Sequence, residues 1–241
     1  MKKIFGAAML AGATVAGAGV AQADVSASVT LTSDYVFRGL SLSGEDPAIQ
    51  GSFDYESGMF YAGVWGTSLG SGGTSMEMDL YAGVTPMIGP VQLDLGVVGY
   101  FYPGADDDAA EFDFWELAAA GSVEVAPRFT LGAALNYSPD NYGETGEALY
   151  YEGNVKFSPS DALVFSAALG NYTIDDVNGP LPGSTSDDYT TWNIGGTYAL
   201  HGFEFDLRYH EADISAGDPM ATFAPPQIAD GRVVFSISRS L

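Results

Sequence analysis

The sequence predicts an all-β protein, an antiparallel transmembrane β-barrel of about twelve strands with short turns at one rim and long loops at the other. Three observations lead to this fold class. Apolar and polar residues alternate with period two through most of the 241 residues. All 12 prolines fall in expected turns or at strand ends, where their missing N–H donor breaks no ladder. The connections are alternately short and long, as in outer-membrane barrels.

The first 23 residues have the features of a cleaved signal peptide. Lys2 and Lys3 precede an uncharged run made mostly of Ala, Gly and Val, and Ala21-Gln22-Ala23 is a small-x-small cleavage site. A retained membrane anchor is the alternative, but the run is short and poor in leucine. We therefore predict an exported protein whose barrel comprises residues 24–241, with a charge of 6 − 31 = −25 once two lysines are lost.

The first half of the chain contains six alternating segments. In the first, the odd positions from Val25 to Leu31 are apolar, and the pattern continues through Tyr35 and Phe37 with Arg38 on the polar side. The other five run over residues 48–56, 60–67, 76–85, 91–97 and 115–125. The segment 60–67 is strand-like, but its pattern does not indicate which face is apolar.

The second half repeats the pattern without any convincing helical stripe. Its six segments run over residues 129–138, 149–157, 163–170, 191–200, 203–210 and 233–241. Long connections are expected at 39–46, 68–75, 103–111, 139–147, 174–188 and 212–230. The last two are long enough to fold inward and constrict a lumen, and Pro225-Pro226 would stiffen the second of them.

The charged face of these strands is predicted to point into the barrel. A soluble lipocalin-like barrel or sandwich would bury its apolar face instead. Leu- and Phe-sized side chains would hardly fill the bore of twelve strands, whereas water or paired charges would. The candidate pore-lining residues are Arg38, Asp54, Glu56, Glu77, Asp79, Asp94, Glu116, Glu152, Lys156, Glu204, Asp206, Arg208 and His210.

Aromatic residues near the strand ends are typical of the belts that membrane barrels place at the lipid–water interfaces. The candidate interface aromatics are Tyr35, Phe37, Tyr55, Trp115, Tyr137, Trp192, Phe203 and Tyr209. The opposite, apolar face is almost free of charge, with Arg239 as its main exception.

Three stretches near the start of the barrel resemble the TorF-type porins, also described as the conserved hypothetical outer-membrane family Gcw_chp. They are Ser33-Asp34-Tyr35-Val36-Phe37-Arg38-Gly39-Leu40-Ser41, Asp46-Pro47-Ala48-Ile49-Gln50-Gly51-Ser52-Phe53-Asp54-Tyr55 and Phe60-Tyr61-Ala62-Gly63-Val64-Trp65-Gly66. The resemblance implies an outer-membrane barrel with a channel role and no defined substrate. Outer-membrane barrels usually end in an aromatic residue that the assembly machinery recognises, whereas this chain ends in Leu241.

These features together predict a porin-like channel for passive diffusion of small hydrophilic solutes or ions. Carboxylates on the inner face would attract cations, so we expect a mild cation preference. Arg38, Lys156 and Arg208 could instead pair with inner carboxylates and brace the wall. The alternative is a closed structural or adhesive barrel with little conductance.

Other functions have weaker support. The acidic long loops could bind divalent cations beside lipopolysaccharide phosphates, but without EF-hand spacing a solvated acidic rim is the preferred interpretation. Enzyme activity is not expected, because the barrel has only His201, in a predicted turn, and His210, two same-face steps from Asp206. There is no G-x-S-x-G motif, and Gly70, Gly72 and Gly73 precede no helix.

The expected partners are outer-membrane lipid, lipopolysaccharide and, during biogenesis, the barrel assembly machinery. Nucleic acid is not expected, because the formal net charge is −23. We predict no cofactor and no metal centre. The chain has no cysteine, which excludes disulfides and thiolate zinc sites.

Overall fold

The alternating segments form twelve long strands in one sheet, in a computed structural model that describes residues 24–70, 74–105, 111–179, 183 and 185–241. The strands are β1 (Asp24–Thr32), β2 (Ala48–Ser57), β3 (Phe60–Ser68), β4 (Met76–Val84), β5 (Val91–Phe101), β6 (Phe114–Ala126), β7 (Phe129–Ser138), β8 (Ala148–Ser160), β9 (Leu163–Ile174), β10 (Asp187–Leu200), β11 (Phe203–Ala212) and β12 (Arg232–Ser240). The predictions on residues 1–23, on Gly72 and Gly73, and on the acids at 106–108 lie outside the described residues.

The sheet closes into a barrel, because each strand pairs antiparallel with its sequence neighbours and the last pairs with the first. In this closing pair, Ser28 of β1 lies opposite Ser240 of β12 and Thr32 lies opposite Ser236. The even number of strands puts the start of β1 and the end of β12 at the rim with the short turns. The predicted twelve-stranded antiparallel barrel is therefore confirmed.

Two faces with different chemistry follow from the period of the strands. Large apolar side chains such as Phe53 and Leu169 point outward and are 57% and 60% exposed. Polar side chains at the alternate positions point inward and are buried or half-buried. An apolar belt on every outer strand face far exceeds the patches that soluble monomers expose, so the belt is matched to lipid. In β3, whose sequence was ambiguous, Tyr61 and Trp65 are the half-buried, inward residues.

The short turns use backbone conformations that suit tight hairpins. His201 and Gly202 both have positive φ, at 53° and 84°, between the paired residues Leu200 and Phe203. Positive φ at both central residues matches the right-handed twist of the flanking strands. This hairpin confirms the predicted tight turn and fixes the register of β10 against β11.

The first strand is shorter than the sequence pattern suggests. It ends at Thr32, and the prediction that it continues through Tyr35 and Phe37 is wrong. The chain instead forms a small hairpin, in which Val36–Phe37 pairs with Leu40–Ser41. Another two-residue strand, Met87–Ile88, pairs with the start of β5. We call residues 33–47 the first long loop.

The last long loop, residues 213–231, contains two one-turn helices, Met220–Phe223 and Pro226–Ala229. The sequence reasoning predicted the stiffening prolines but no helix. Pro226 opens its helix at the first position, where its missing N–H removes no intrahelical hydrogen bond. Within the described part of the chain, neither helix is long or apolar enough to cross a membrane.

Candidate functional site

The predicted lining residues all lie on the inner side of the barrel, and their burial divides the bore into two parts. Glu77, Asp79 and Glu116, near the long-loop rim, have exposures of 1% or less. The others are half-buried and include Asp54, Glu56, Asp94, Glu152, Lys156, Glu204, Asp206, Arg208 and His210. The bore is therefore accessible towards the short turns and filled towards the long loops.

Arg208 is braced against the wall in the accessible half. Its guanidinium donates to Asp206 at 3.1 Å, to the Asn193 side-chain oxygen at 2.8 Å and to the Ser166 hydroxyl at 3.0 Å. Asp206 also accepts a 2.7 Å hydrogen bond from Thr197. The wall-bracing interpretation therefore holds for Arg208, while the carboxylates around it keep the inner face acidic.

Two tyrosines in the same half reach past an intervening strand to a carboxylate on the next strand but one. The Tyr61 hydroxyl donates to Asp94 at 2.7 Å, and the Tyr81 hydroxyl donates to Asp54. The Tyr61 ring lies over Gly83, where any Cβ would collide with it. Small residues thus let these rings lie flat along the wall instead of filling the bore.

Asp34 organises the first long loop where it enters the barrel. Its carboxylate accepts hydrogen bonds from the hydroxyls of Ser41 and Ser43, both at 2.7 Å. It also accepts a hydrogen bond from Arg232 of β12 at 3.1 Å. These contacts draw the loop into a compact turn and attach it to the wall.

Arg38 extends from this loop across the mouth of the barrel to Glu116 of β6. Two parallel hydrogen bonds of 2.7 Å join the guanidinium to the two carboxylate oxygens. Burial by itself lowers the pKa of Arg38, but the Glu116 carboxylate outweighs that effect and holds the pKa above its ordinary value. Arg38 therefore remains charged at all physiological pH values.

Three aromatic rings surround the same guanidinium. Its central carbon lies 4.6 Å from the ring centre of Phe37, 4.5 Å from that of Tyr150 and 4.6 Å from that of Tyr172. Tyr100 donates a 3.0 Å hydrogen bond to Glu116. Cation–π attraction and charge-assisted hydrogen bonding therefore act together on one desolvated arginine.

Arg38 joins two groups of buried side chains at the long-loop rim. The small mouth cluster consists of Val98, Tyr100, Tyr102 and Phe114. The large mouth cluster consists of Leu40, Ala148, Tyr150, Tyr172, Ile174, Val177, Tyr189, Ala212, Ile214, Met220, Ala224 and Ala229. Its members come from strands and from three long loops, so loop residues and wall residues share one core.

The first long loop crosses the bore rather than lying along one wall. Tyr35 donates a 2.8 Å hydrogen bond to Glu77 of β4, and Leu40 belongs to the same cluster as Tyr189 of β10. In a ring of twelve strands, β4 and β10 are opposite each other. The described parts of the loops therefore pack into the mouth. The last two long loops contribute to this packing, as predicted, and so does the first, which was not predicted.

The predicted interface aromatics fall into two groups. Trp115, Trp192, Tyr55 and Phe203 lie on the outer face with 37–47% exposure, and Tyr137 and Tyr209 are half-buried there. Tyr35 and Phe37 do not fit this prediction. Tyr35 is 7% exposed, and Phe37 packs edge-on against Tyr100 with ring centres 6.0 Å apart. Both rings belong to the mouth, because the chain leaves the sheet at Thr32.

No described contact assembles a catalytic group around the histidines. Asp206 is bound by Thr197 and Arg208, and His201 lies in an exposed turn. No group of three or more His, Cys, Asp or Glu in the described ranges is placed to hold one metal ion. The inner face instead offers an acidic, half-buried surface that ends at an aromatic and ionic barrier.

Sequence reasoning missed Asp34, Arg232 and the tyrosines around Arg38 as parts of this barrier. One signal could have pointed to the loop: the stretch 33–41 that carries the family resemblance has a buried aspartate, an arginine and two aromatics within nine residues. If this stretch is interpreted as a strand, its side chains alternate between the two faces of the sheet. If it is interpreted as a loop, its apolar side chains need a core to pack in, and the mouth of the barrel provides one.

Two solved structures with similar folds are of one porin. The "KdgM porin" superposes with a TM-score of 0.58 at 7% identity, covering 90% of this chain and 99% of that chain. The "KdgM porin in complex with disordered oligogalacturonate" superposes with a TM-score of 0.56 at 6% identity, covering 91% and 99%. At such identities the likeness concerns the fold alone. No curated protein matches the chain.

The sequence profile of one family matches residues 16–241, which is nearly the whole chain. The match includes the first long loop and all twelve strands. The chain therefore belongs to the Gcw_chp family, described as bacterial protein of unknown function.

Proposed function

We propose that the chain is an outer-membrane channel of the TorF porin type, which lets small hydrophilic solutes or ions diffuse with a mild preference for cations. The observation that carries this proposal is the inside-out arrangement of a closed twelve-stranded barrel. Apolar side chains cover its outer face and charged side chains line its inner face. A barrel of this kind is stable in lipid and can hold water inside.

The cation preference rests on the charge of the inner face. Nine acids and three bases among the candidate lining residues leave a formal charge of −6. Low-dielectric walls focus such a field, so cations would be concentrated in the bore and anions depleted. Arg208 reduces this field only locally, because it is bound to Asp206.

The proposed location follows from the belt and from the signal-like start of the chain. Export, removal of residues 1–23 and insertion by the barrel assembly machinery would place the short turns in the periplasm. The long acidic loops would then face outward beside lipopolysaccharide. Trp115, Trp192 and Phe203 would lie at the lipid interfaces.

The acidic inner face would select solutes by their charge rather than by their size. One of the similar porins was solved with oligogalacturonate, whose sugar units carry carboxylates. The acidic inner face described above would repel such a chain. We therefore favour cationic and neutral small solutes for this protein.

A closed barrel is the second candidate, and the mouth itself favours it. Tyr100, Ile174 and Tyr189 are 0–2% exposed at the long-loop rim, where an open porin would be hydrated. If this barrier does not move, the protein would be structural or adhesive.

Permeation by three matched sugars tests both candidates. Liposomes containing the refolded chain 24–241 are exposed to galactosamine, galactose and galacturonate, which are cationic, neutral and anionic. The channel proposal expects swelling fastest with galactosamine and slowest with galacturonate. Faster entry of galacturonate would contradict the cation preference. No entry of any sugar into liposomes with a heat-modifiable, folded barrel would support the closed candidate.

A further inference from the structure

Two buried carboxylates in the mouth lack partners for most of their oxygens. Glu77 and Asp79 lie two residues apart on β4, so both side chains point to the inner face about 6.5 Å apart along the strand. Asp79 is 0% exposed, and both of its carboxylate oxygens lack a hydrogen-bond partner among the described residues. Oε2 of Glu77 also lacks a hydrogen-bond partner among the described residues, although the Tyr102 hydroxyl lies nearby.

Charged carboxylates are not buried in this way without compensation. Transfer of an ionised, unpaired carboxylate out of water is among the largest penalties in protein folding. Nearby, Glu116 is neutralised by Arg38 through two hydrogen bonds. Glu77 accepts a 2.8 Å hydrogen bond from Tyr35 at Oε1 and has no ion-pair partner among the described residues. Three of the four carboxylate oxygens of this pair therefore lack a hydrogen-bond partner among the described residues.

We propose that Glu77 and Asp79 bind one calcium ion in the mouth of the barrel. A divalent cation balances the charge of the two carboxylates, and three unpartnered oxygens point to an oxygen-seeking ion. Ca²⁺ tolerates irregular coordination, whereas Mg²⁺ demands near-ideal octahedral geometry and retains several waters. Since no group of three such carboxylates is found among the described residues, the remaining ligands would be neutral oxygens, such as the Tyr35 and Tyr102 hydroxyls beside Glu77.

The site would connect ion binding to the closed mouth. Tyr35 belongs to the first long loop, and its ring packs on Trp65 of β3 with centres 5.4 Å apart. Trp65 in turn lies opposite Asp79 in the strand register. An ion at Glu77 and Asp79 would therefore hold this part of the loop against the wall. The inference goes beyond the proposed conduction, because binding is measurable whether or not current flows.

Terbium luminescence tests the site, since Tb³⁺ replaces Ca²⁺ and is sensitised by a nearby indole. The refolded chain 24–241 in detergent is titrated with Tb³⁺ and then with CaCl₂, MgCl₂ or KCl. We expect Trp65-sensitised emission that CaCl₂ displaces and the other salts do not. Asp79→Asn and Glu77→Gln should each weaken apparent Ca²⁺ affinity about tenfold or more. Trp65→Phe should remove the emission excited at wavelengths that only tryptophan absorbs but leave Ca²⁺ binding by calorimetry unchanged.

Asp161→Asn is the matched control, because Asp161 is an acid in an exposed short turn. It should leave both signals unchanged. Equal Ca²⁺ affinity in the wild type and in folded Asp79→Asn would overturn the proposal. So would a wild type that binds no Ca²⁺ while Asp79→Asn raises its thermal stability, because Asp79 would then be a buried acid that carries a proton. If Asp79→Asn does not fold, Glu77→Gln supplies the same comparison.

Discussion

The Arg38 guanidinium and the Glu116 carboxylate face each other across the mouth of the barrel through two 2.7 Å hydrogen bonds, although 78 residues separate them in sequence. Their side chains are 6% and 1% exposed. One partner is on a loop and the other on a strand, so this pair is where the first long loop is fixed across the bore. Breaking it removes a buried ion pair joined by two hydrogen bonds.

Arg38→Ala should increase current through the barrel. The substitution removes the guanidinium from its three aromatic neighbours and leaves Glu116 free to hydrate, which should loosen the first long loop. We expect larger or more frequent single-channel steps in planar bilayers than with the wild type. Arg128→Ala is the control, because Arg128 lies in an exposed turn and its side chain is 50% exposed. Identical currents from folded wild type and Arg38→Ala would show that the arginine does not close the mouth.

The same pair should show strong coupling in stability. Removing one partner of a buried ion pair leaves an uncompensated charge and costs about 3–5 kcal/mol, whereas apolar replacement of both is far less harmful. In urea unfolding in detergent, Glu116→Leu should therefore have a much lower free energy of unfolding than the Arg38→Met/Glu116→Leu double variant. The exposed pair Arg128–Asp161 offers a comparison expected to show no measurable coupling. The two residues would not be coupled if the double variant lost as much free energy of unfolding as the two single variants lose together.

Alkaline pH should destabilise the mouth through its tyrosines. Burial, and then the charge of Glu77, raise the pKa values of Tyr35 and Tyr102 well above their usual value. In the unfolded chain these hydroxyls ionise near pH 10, so the unfolded state loses protons that the folded state keeps. The stability that these two tyrosines contribute to the folded state is thus complete below about pH 10 and declines as the pH rises further. Thermal melts should show this fall, and it should be smaller in Tyr102→Phe. An equal loss of thermal stability in the wild type and in Tyr102→Phe would mean that Tyr102 does not cause the alkaline effect.

The hairpin at His201 should tolerate only residues that accept a left-handed backbone. Its φ of 53° costs a β-branched residue about 1–2 kcal/mol, whereas asparagine adopts it readily. His201→Val should therefore lower the free energy of unfolding, and His201→Asn should not. Equal loss in both variants would mean that the imidazole itself stabilises the turn.

The strands could be predicted from the sequence because a two-residue period is a local signal. Every strand from β2 to β12 begins within a few residues of its predicted start. The sequence also predicted which face of the strands points into the barrel, since charged residues such as Asp54 and Glu152 recur on one face only.

The mouth could not be predicted in the same way, because its contacts join residues far apart in the chain. Nothing in the local pattern shows that Arg38 pairs with Glu116, or that Tyr35 leaves the outer face to contact Glu77. The aromatics of the first loop also resemble an interface belt in sequence. Only the closure of the ring brings β4, β6 and β10 round one bore, where a single loop can contact all three.

The most direct test of a cation-preferring channel closed by Arg38 is the reversal potential of Arg38→Ala in a planar bilayer under a KCl gradient, recorded beside the wild type. We expect discrete steps that are larger or more frequent in the variant, with a reversal potential of the sign given by K⁺ permeating faster than Cl⁻. A folded Arg38→Ala barrel that carries no current, or one whose reversal potential has the sign of anion preference, would contradict this expectation.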